Sequence, residues 1–260
     1  MRGASRASYA SLREQLTSGV SGDELFAVTG LLDAEHGLRR ALSDPGKPAD
    51  EKAAVTHQIL RGKVSAATES LTAAATEQRW GSPSDLSDAV EELAIEATVA
   101  GASKQQLDDL EDDLFRFGRL VAAEPDLRQA LAGDVPAAGK QSLVTDLLRG
   151  KVSPVALTLI SQLVAHPRGR SLTASLDLAA SITARRREQL IAVVRSAGPL
   201  SDQQQQRLAR TLEAAYGHEI HLNVVIDPAV VGGISIQIGD ELIDGTAASQ
   251  LAAVRRKLAS

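Results

Sequence analysis

The sequence predicts a mainly α fold with a small α/β C-terminal domain: two tandem helical bundles, then a short mixed sheet with two helices. Two observations carry this. Through the helical part, apolar residues recur at helical spacing and whole segments repeat in order. Toward the C-terminus the spacing switches to period two, broken by Gly and Pro at turns. Composition sets the core: 43% of the 260 residues are apolar but only 2% aromatic, so Ala, Leu, Val and Ile must fill it.

The repeat is read directly. Leu25-Phe26 recurs as Leu114-Phe115, and Ala34-Glu35 as Ala123-Glu124. Leu38-Arg39 and Ala41-Leu42 recur as Leu127-Arg128 and Ala130-Leu131. Lys52 returns as Lys140, and Leu60-Arg61-Gly62-Lys63-Val64-Ser65 returns unbroken as Leu148-Arg149-Gly150-Lys151-Val152-Ser153. The spacing shortens by one residue inside a polar Gly/Pro loop, residues 43–50 in one copy and 133–139 in the other. A deletion there costs little.

In chain order, Tyr9, Leu12 and Leu16 make the first amphipathic turns. Gly62 and Gly150 stand where a helix ends, and Ser65 and Ser153 where the next begins, with Pro154 at a first helical position. Ser103 with Gln106 forms a capping box ahead of Leu107, Leu110, Leu114, Phe117 and Val121, and Pro125 ends or kinks that helix. Arg185-Arg186-Arg187 closes the second bundle and complements a helix C-terminus. The bundles span 1–104 and 105–187. Their apolar stripes suit core packing, and spacing alone does not separate a second stripe open to a partner helix.

Residues 188–260 read as the α/β domain. A strand over 190–194 precedes the Gly198-Pro199 loop, and Ser201 with Gln204 caps a helix carrying Leu208, Leu212 and Tyr216 on one face. Ile220, Leu222, Val224 and Ile226 alternate with His221, Asn223 and Val225 along a strand that Asp227-Pro228 stops. Gly232-Gly233 permits a tight reversal into a strand with Ile234, Ile236 and Ile238. Gly239-Asp240 turns that strand into a hairpin with 241–243. Asp244-Gly245 turns again, and Thr246 caps a last helix striped by Leu251, Val254 and Leu258.

Little chemistry is visible. There is no cysteine, which excludes disulfides and thiolate chemistry. The net charge of −5 and the lack of an aromatic–basic patch disfavour nucleic acid. No apolar run reaches the roughly 20 residues that span a bilayer, and residues 1–6 lack the apolar segment of a signal peptide. No phosphate-binding loop motif occurs, so Gly232-Gly233 reads as a turn. An enzyme built around that turn would need Asp227, Asp240 and Asp244 to converge, yet Asp beside Gly is an ordinary turn former. His218 and His221 point to opposite faces and lack a third ligand, so no metal or cofactor is expected. A helical adaptor or regulatory protein is the other reading.

Asp227-Pro228, Gly232-Gly233, Ile238-Gly239-Asp240 and Ile243-Asp244-Gly245-Thr246 resemble, in order and spacing, the C-terminal signature of the delta subunits of F-type ATP synthases, the oligomycin sensitivity conferral protein family. Pro199-Leu200-Ser201 before a Gln-rich helix, and Leu-Arg-x-Ala-Leu followed by Gly-Lys-Val-Ser, are similar to the same family, as is Ser8-Tyr9-Ala10 more weakly. Thr246 stands where the family commonly has Ser. The family carries one helical bundle; this chain resembles longer versions with a duplicated one, and its second copy takes the usual position before the α/β domain. The resemblance implies a non-catalytic stator connector of the peripheral stalk. Its helical bundle would dock on the catalytic head against N-terminal helices of the alpha subunits. Its C-terminal domain would hold the b-type stalk subunit. It implies a peripheral place at the cytoplasmic face of a bacterial membrane, and turn-forming rather than catalytic roles for Asp227, Pro228, Gly232, Gly233, Gly239, Asp240, Asp244 and Gly245.

Overall fold

The computed structural model describes residues 3–133, 135–189, 191–217, 220–228, 230, 232–239 and 241–246. These divide between two compact units, one within 1–102 and 106–183, the other within 103–105 and 184–260. The described part is mainly α with a small mixed sheet, as expected.

The first copy of the repeat folds as α1 (Ala4–Arg13), α2 (Gly22–Ala34), α3 (His36–Ser43), α4 (Ala49–Leu60), α5 (Ala66–Glu77) and α6 (Pro83–Val99). The second supplies α7 (Lys104–Ala123), α8 (Pro125–Ala132), α9 (Ala137–Leu148), α10 (Pro154–Ala165) and α11 (Leu172–Gln189). The helix breaks are chemical. Pro83, Pro125 and Pro154 each begin a helix, where a missing N–H costs nothing. Ser65 and Ser153 accept from the backbone N–H groups of Thr68 and Ala156. Gly62 and Gly150 share φ 72°, the left-handed turn that ends a helix.

Leu12, Leu25, Leu86, Leu93, Leu107, Leu110, Leu114 and Phe117 are fully buried, so the helical core is largely aliphatic. Its one Trp, Trp80, is buried with its indole N–H donated to the Ala75 carbonyl. Such thin side chains let helices approach closely. At Gly22, an added Cβ would lie 2.9 Å from the Ala94 carbonyl oxygen and closer still to the Thr98 hydroxyl, so α2 and α6 meet almost backbone to backbone.

The duplication extends to polar anchors that identity matching misses. Glu24 on α2 accepts from the Ser65 backbone N–H at 3.0 Å and from its hydroxyl at 2.7 Å. Asp113, at the matching place on α7, accepts from the Ser153 backbone N–H at 2.8 Å. Each carboxylate thus sits at the positive end of the helix that follows the repeated Gly-Lys-Val-Ser, α5 in one copy and α10 in the other. Hydrogen bonds from Thr68 and Ser65 hold the Glu24 carboxyl below its ordinary range. Lys52 and Lys140 lie buried on α4 and α9, and burial pushes the Lys52 ammonium pKa down.

The other unit contains β1 (Ile191–Ser196), α12 (Asp202–Tyr216), β2 (His221–Ile226), β3 (Ile234–Ile238) and β4 (Glu241–Asp244). The sheet order is β2-β1-β3-β4, with β1 parallel to β2 and the other pairs antiparallel. Ala192, Val194, Leu212, Ile220, Ile236 and Ile238 form its core, flanked by Leu208, Tyr216, Leu222 and Val224. The Ser201–Gln204 capping box is complete. Two details differ from the sequence reading. The first strand runs on to Ser196, because Arg195 and Ser196 still pair with both neighbours. Ile226 belongs to the alternating series but is 57% exposed, since it ends β2 on the edge of the sheet.

Gly22→Ala should destabilise the chain by about 1–3 kcal/mol through overpacking. Gly30→Ala, on the same helix with open space around it, should be neutral or stabilising by up to roughly 1 kcal/mol. Urea midpoints would distinguish them, and equal values would refute the close α2–α6 approach. Glu24→Gln should cost about 1 kcal/mol at neutral pH. Because the folded-state pKa of Glu24 is depressed, its contribution is present above the unfolded carboxyl value and is lost as pH falls through the folded one. The stability gap between wild type and variant should therefore close on acidification.

Candidate functional site

The turns that carry the family-like signature are built from backbone approach. Gly232 and Gly233 have φ 69° and 77°, in the left-handed region that side chains avoid. A Cβ on Gly233 would stand 2.4 Å from the carbonyl oxygen of Gly245. Gly245 in turn donates its N–H to the Ile234 carbonyl at 3.0 Å. Glycines twelve residues apart in the chain therefore make one contact, where β3 begins and β4 ends. Gly239 turns at φ 54° between those strands.

The acids serve the same geometry. The Asp227 N–H donates to the Ser196 carbonyl at 2.9 Å, which holds the chain after β2 against β1. Pro228 follows and ends the ladder. Asp244 accepts the Thr246 backbone N–H at 3.0 Å. Asp227 follows one edge strand and Asp244 ends the other, with β1 and β3 between them. Three strand spacings of about 4.8 Å put them about 14 Å apart across the sheet, too far for a shared proton or water. Asp240, His218 and the expected last helix lie outside the described residues. Among the described residues no group of three His, Cys, Asp or Glu could hold a metal. No described helix is long and apolar enough to cross a membrane.

What the fold presents instead is exposed apolar surface. Phe115 on α7 is 66% exposed, with the Arg119 guanidinium over its ring at 5.9 Å, and Arg116 reaches Asp112 at 3.5 Å beside it. Its repeat counterpart, Phe26, is buried. Phe26 lies one turn beyond Gly22 among the buried residues of α2. The same residue type at the same repeat position is core in one copy and surface in the other. In the sheet unit Leu242, Ile226 and Val225 are exposed on the edge strands. Tyr216 donates its hydroxyl to Glu241 at 2.7 Å, tying α12 to β4; this bond pushes the Tyr216 pKa up to about 12. Sequence reasoning named the turn residues. It did not find Phe115 as surface, although the place of Phe115 off the Leu107, Leu110, Leu114, Phe117, Val121 stripe was a signal for it.

Comparison with known proteins gives one answer. The model of the family "ATP synthase delta (OSCP) subunit" matches residues 96–258. ATP synthase subunit delta of Thermobifida fusca is 46% identical over 100% of both chains. That of Streptomyces griseus is 45% identical, again over 100% of both. Both relatives therefore match across the first copy of the repeat as well as the second. A chain in the cryo-EM structure of the Toxoplasma gondii mitochondrial ATP synthase hexamer is 18% identical over 65% of this chain and 95% of its own, at a TM-score of 0.34, too loose a likeness to argue from.

Gly233→Ala should unfold or weaken the sheet unit by well over the roughly 1–2 kcal/mol of a left-handed Ala, because its Cβ would also strike backbone. Gly217→Ala, at φ 74° in open space, should show the conformational cost alone. Thermal denaturation of the two variants checks this, and equal losses would sink the contact argument.

Proposed function

The chain belongs to the ATP synthase delta (OSCP) subunit family, and on that premise we propose that it works as the connector between the catalytic head and the peripheral stalk. It is a peripheral-stalk subunit of an ATP synthase, and the observation that carries this is full-length identity of 46% to a delta subunit. In our reading its role is mechanical, not catalytic. A turning rotor drags on the alpha/beta head; a stator must hold that head still so that proton flow is converted to ATP synthesis rather than to idle rotation. What such a part needs is stiffness and partner surface.

Both features favour the reading. The helical unit is close-packed and polar-anchored in each repeat, and α7 offers Phe115 to a partner. We assign docking on the head, against the N-terminal helices of alpha subunits, to the helical unit. Its second copy, next to the sheet unit in the chain, carries the exposed aromatic. Helix-in-groove recognition suits such a face, and an exposed aromatic beside Arg is the kind of residue that dominates interfaces. We assign the b-type stalk subunit to the sheet unit, with Leu242, Ile226 and Val225 as candidate contacts. The complex would place the chain at the cytoplasmic face of the bacterial membrane, held there by its partners.

Tagged full-length chain purified from native membranes should retain alpha, beta and b-type subunits in constant proportion, read by mass spectrometry. Recovery of the chain alone would overturn the connector reading. Phe115→Ser removes an exposed side chain and should leave the fold intact. Recovery of alpha and beta should fall about tenfold, the loss of a single interface anchor, while the b-type subunit is retained. Undiminished recovery of the head would take Phe115 out of the docking face.

A further inference from the structure

Each repeat has a loop before its last helix, and in each a helix from earlier in the chain holds that loop: through the loop's backbone in the first copy and through an arginine side chain in the second. In the first copy the loop joins α5 to α6. Ser8 of α1 donates its hydroxyl to the Arg79 carbonyl at 2.9 Å, and Ser5 accepts the Gly81 N–H at 2.8 Å. In the second copy the loop joins α10 to α11 and carries Arg168. Ser82 and Ser171 accept from the N–H groups of Asp85 and Ala174 as the next helix begins. Arg79 and Arg168 each stand three residues before the serine that caps the next helix.

Among the described residues, the side-chain partners of Arg168 lie on α2 and α6. Its guanidinium donates to the carbonyl of Ser87 at 3.3 Å, to the Ser87 hydroxyl oxygen at 2.7 Å and to Glu91 at 2.6 Å, all on α6. α6 thus holds the second loop as α1 holds the first, but it does so by receiving a loop side chain where α1 bonds loop backbone. The serine spacing repeats as well: Ser5 and Ser8 on α1, Ser84 and Ser87 on α6. The helix contacts agree, since α1 packs on α5 and α6 packs on α10. At the same time α6 packs on α2, α3 and α5 as the closing helix of the first copy.

We infer that α6 is one helix with two memberships, closing the first repeat and opening the second, and that Arg168 clamps this joint. The consequence is mechanical: with no linker between them, the repeats move as one stiff arm, whichever surface meets a partner. The clamp is heavily built. Arg168 makes five hydrogen bonds, two of them to Asp33 on α2. It also pairs with Asp88 at 3.0 Å, Arg170 joins Glu91, and Arg39 joins Asp33. Its side chain is 8% exposed, and its backbone sits at φ 51°, a conformation an L-residue adopts only where its surroundings impose it.

The chain has no cysteine, so spin labels can be placed at will. Val55 on α4 and Leu143 on α9 are exposed at matching repeat positions. In full-length Val55→Cys/Leu143→Cys, pulsed electron resonance should give a single narrow distance distribution. A broad or multiple distribution would overturn the shared-helix joint. Adding Arg168→Leu should broaden it; Arg168→Lys, which cannot form the planar fork, should also broaden it. An unchanged narrow distribution in both would overturn the clamp. Should Arg168→Leu fail to fold, Ser87→Ala removes one clamp bond only, and broadening there supports the clamp while no change counts against it.

Discussion

The helical unit depends on a guanidinium taken out of water. Arg168 lies among Asp33, Asp88 and Glu91, with Arg39 and Arg170 balancing the charge at three against three. Burial alone works against its charge, but Glu91, Asp33 and Asp88 more than offset this and hold Arg168 above its ordinary pKa. Burial has the stronger hand at Asp88, whose carboxyl is pushed up in spite of Arg168 and Arg170. A network of this kind contributes little net stability over a well-packed apolar substitute, yet removing one partner from it costs about 3–5 kcal/mol. Its value is directional. Apolar surfaces slide, whereas five aimed hydrogen bonds accept one placement of the α10–α11 loop against α2 and α6.

Close approach is the second constraint, and it explains where glycine stands. A core with few aromatics has little bulk to fill gaps, so helices must come together until backbones touch, as at Gly22 against Ala94. The sheet unit uses the same device at Gly233 against Gly245. The signature residues around them are turn and ladder chemistry: Asp227 anchors to β1, and Asp244 holds the backbone of Thr246. A segment rich in Asp and Gly can look like a site from its letters. Here its hydrogen bonds are turn and ladder bonds.

Partner surface, in this molecule, comes from repetition that is not quite faithful. Phe26 and Phe115 occupy one repeat position, and α7 runs to 20 residues where α2 has 13. The first copy buries its Phe; the second leaves it exposed. Duplicating a fold that already packs provides two similar scaffolds, and one repeat position can be core in one copy and surface in the other.

The amino-acid order by itself determined what local chemistry decides. The repeat, the Ser65 and Ser153 caps, the Gly62 and Gly150 helix ends, the proline starts, the Ser201–Gln204 box and the period-two strands all follow from interactions within a few residues. The family signature was legible for the same reason, since its turns are short. Tertiary structure alone decided the rest. Strand order β2-β1-β3-β4, the meeting of Gly233 with Gly245, and the exposure of Phe115 beside the burial of Phe26 depend on partners distant in sequence. Least visible of all was Arg168, an arginine in a loop with no periodicity to mark it. Its role depends on carboxylates 77 to 135 positions away, and no local pattern can encode a desolvated charge whose partners arrive from another repeat.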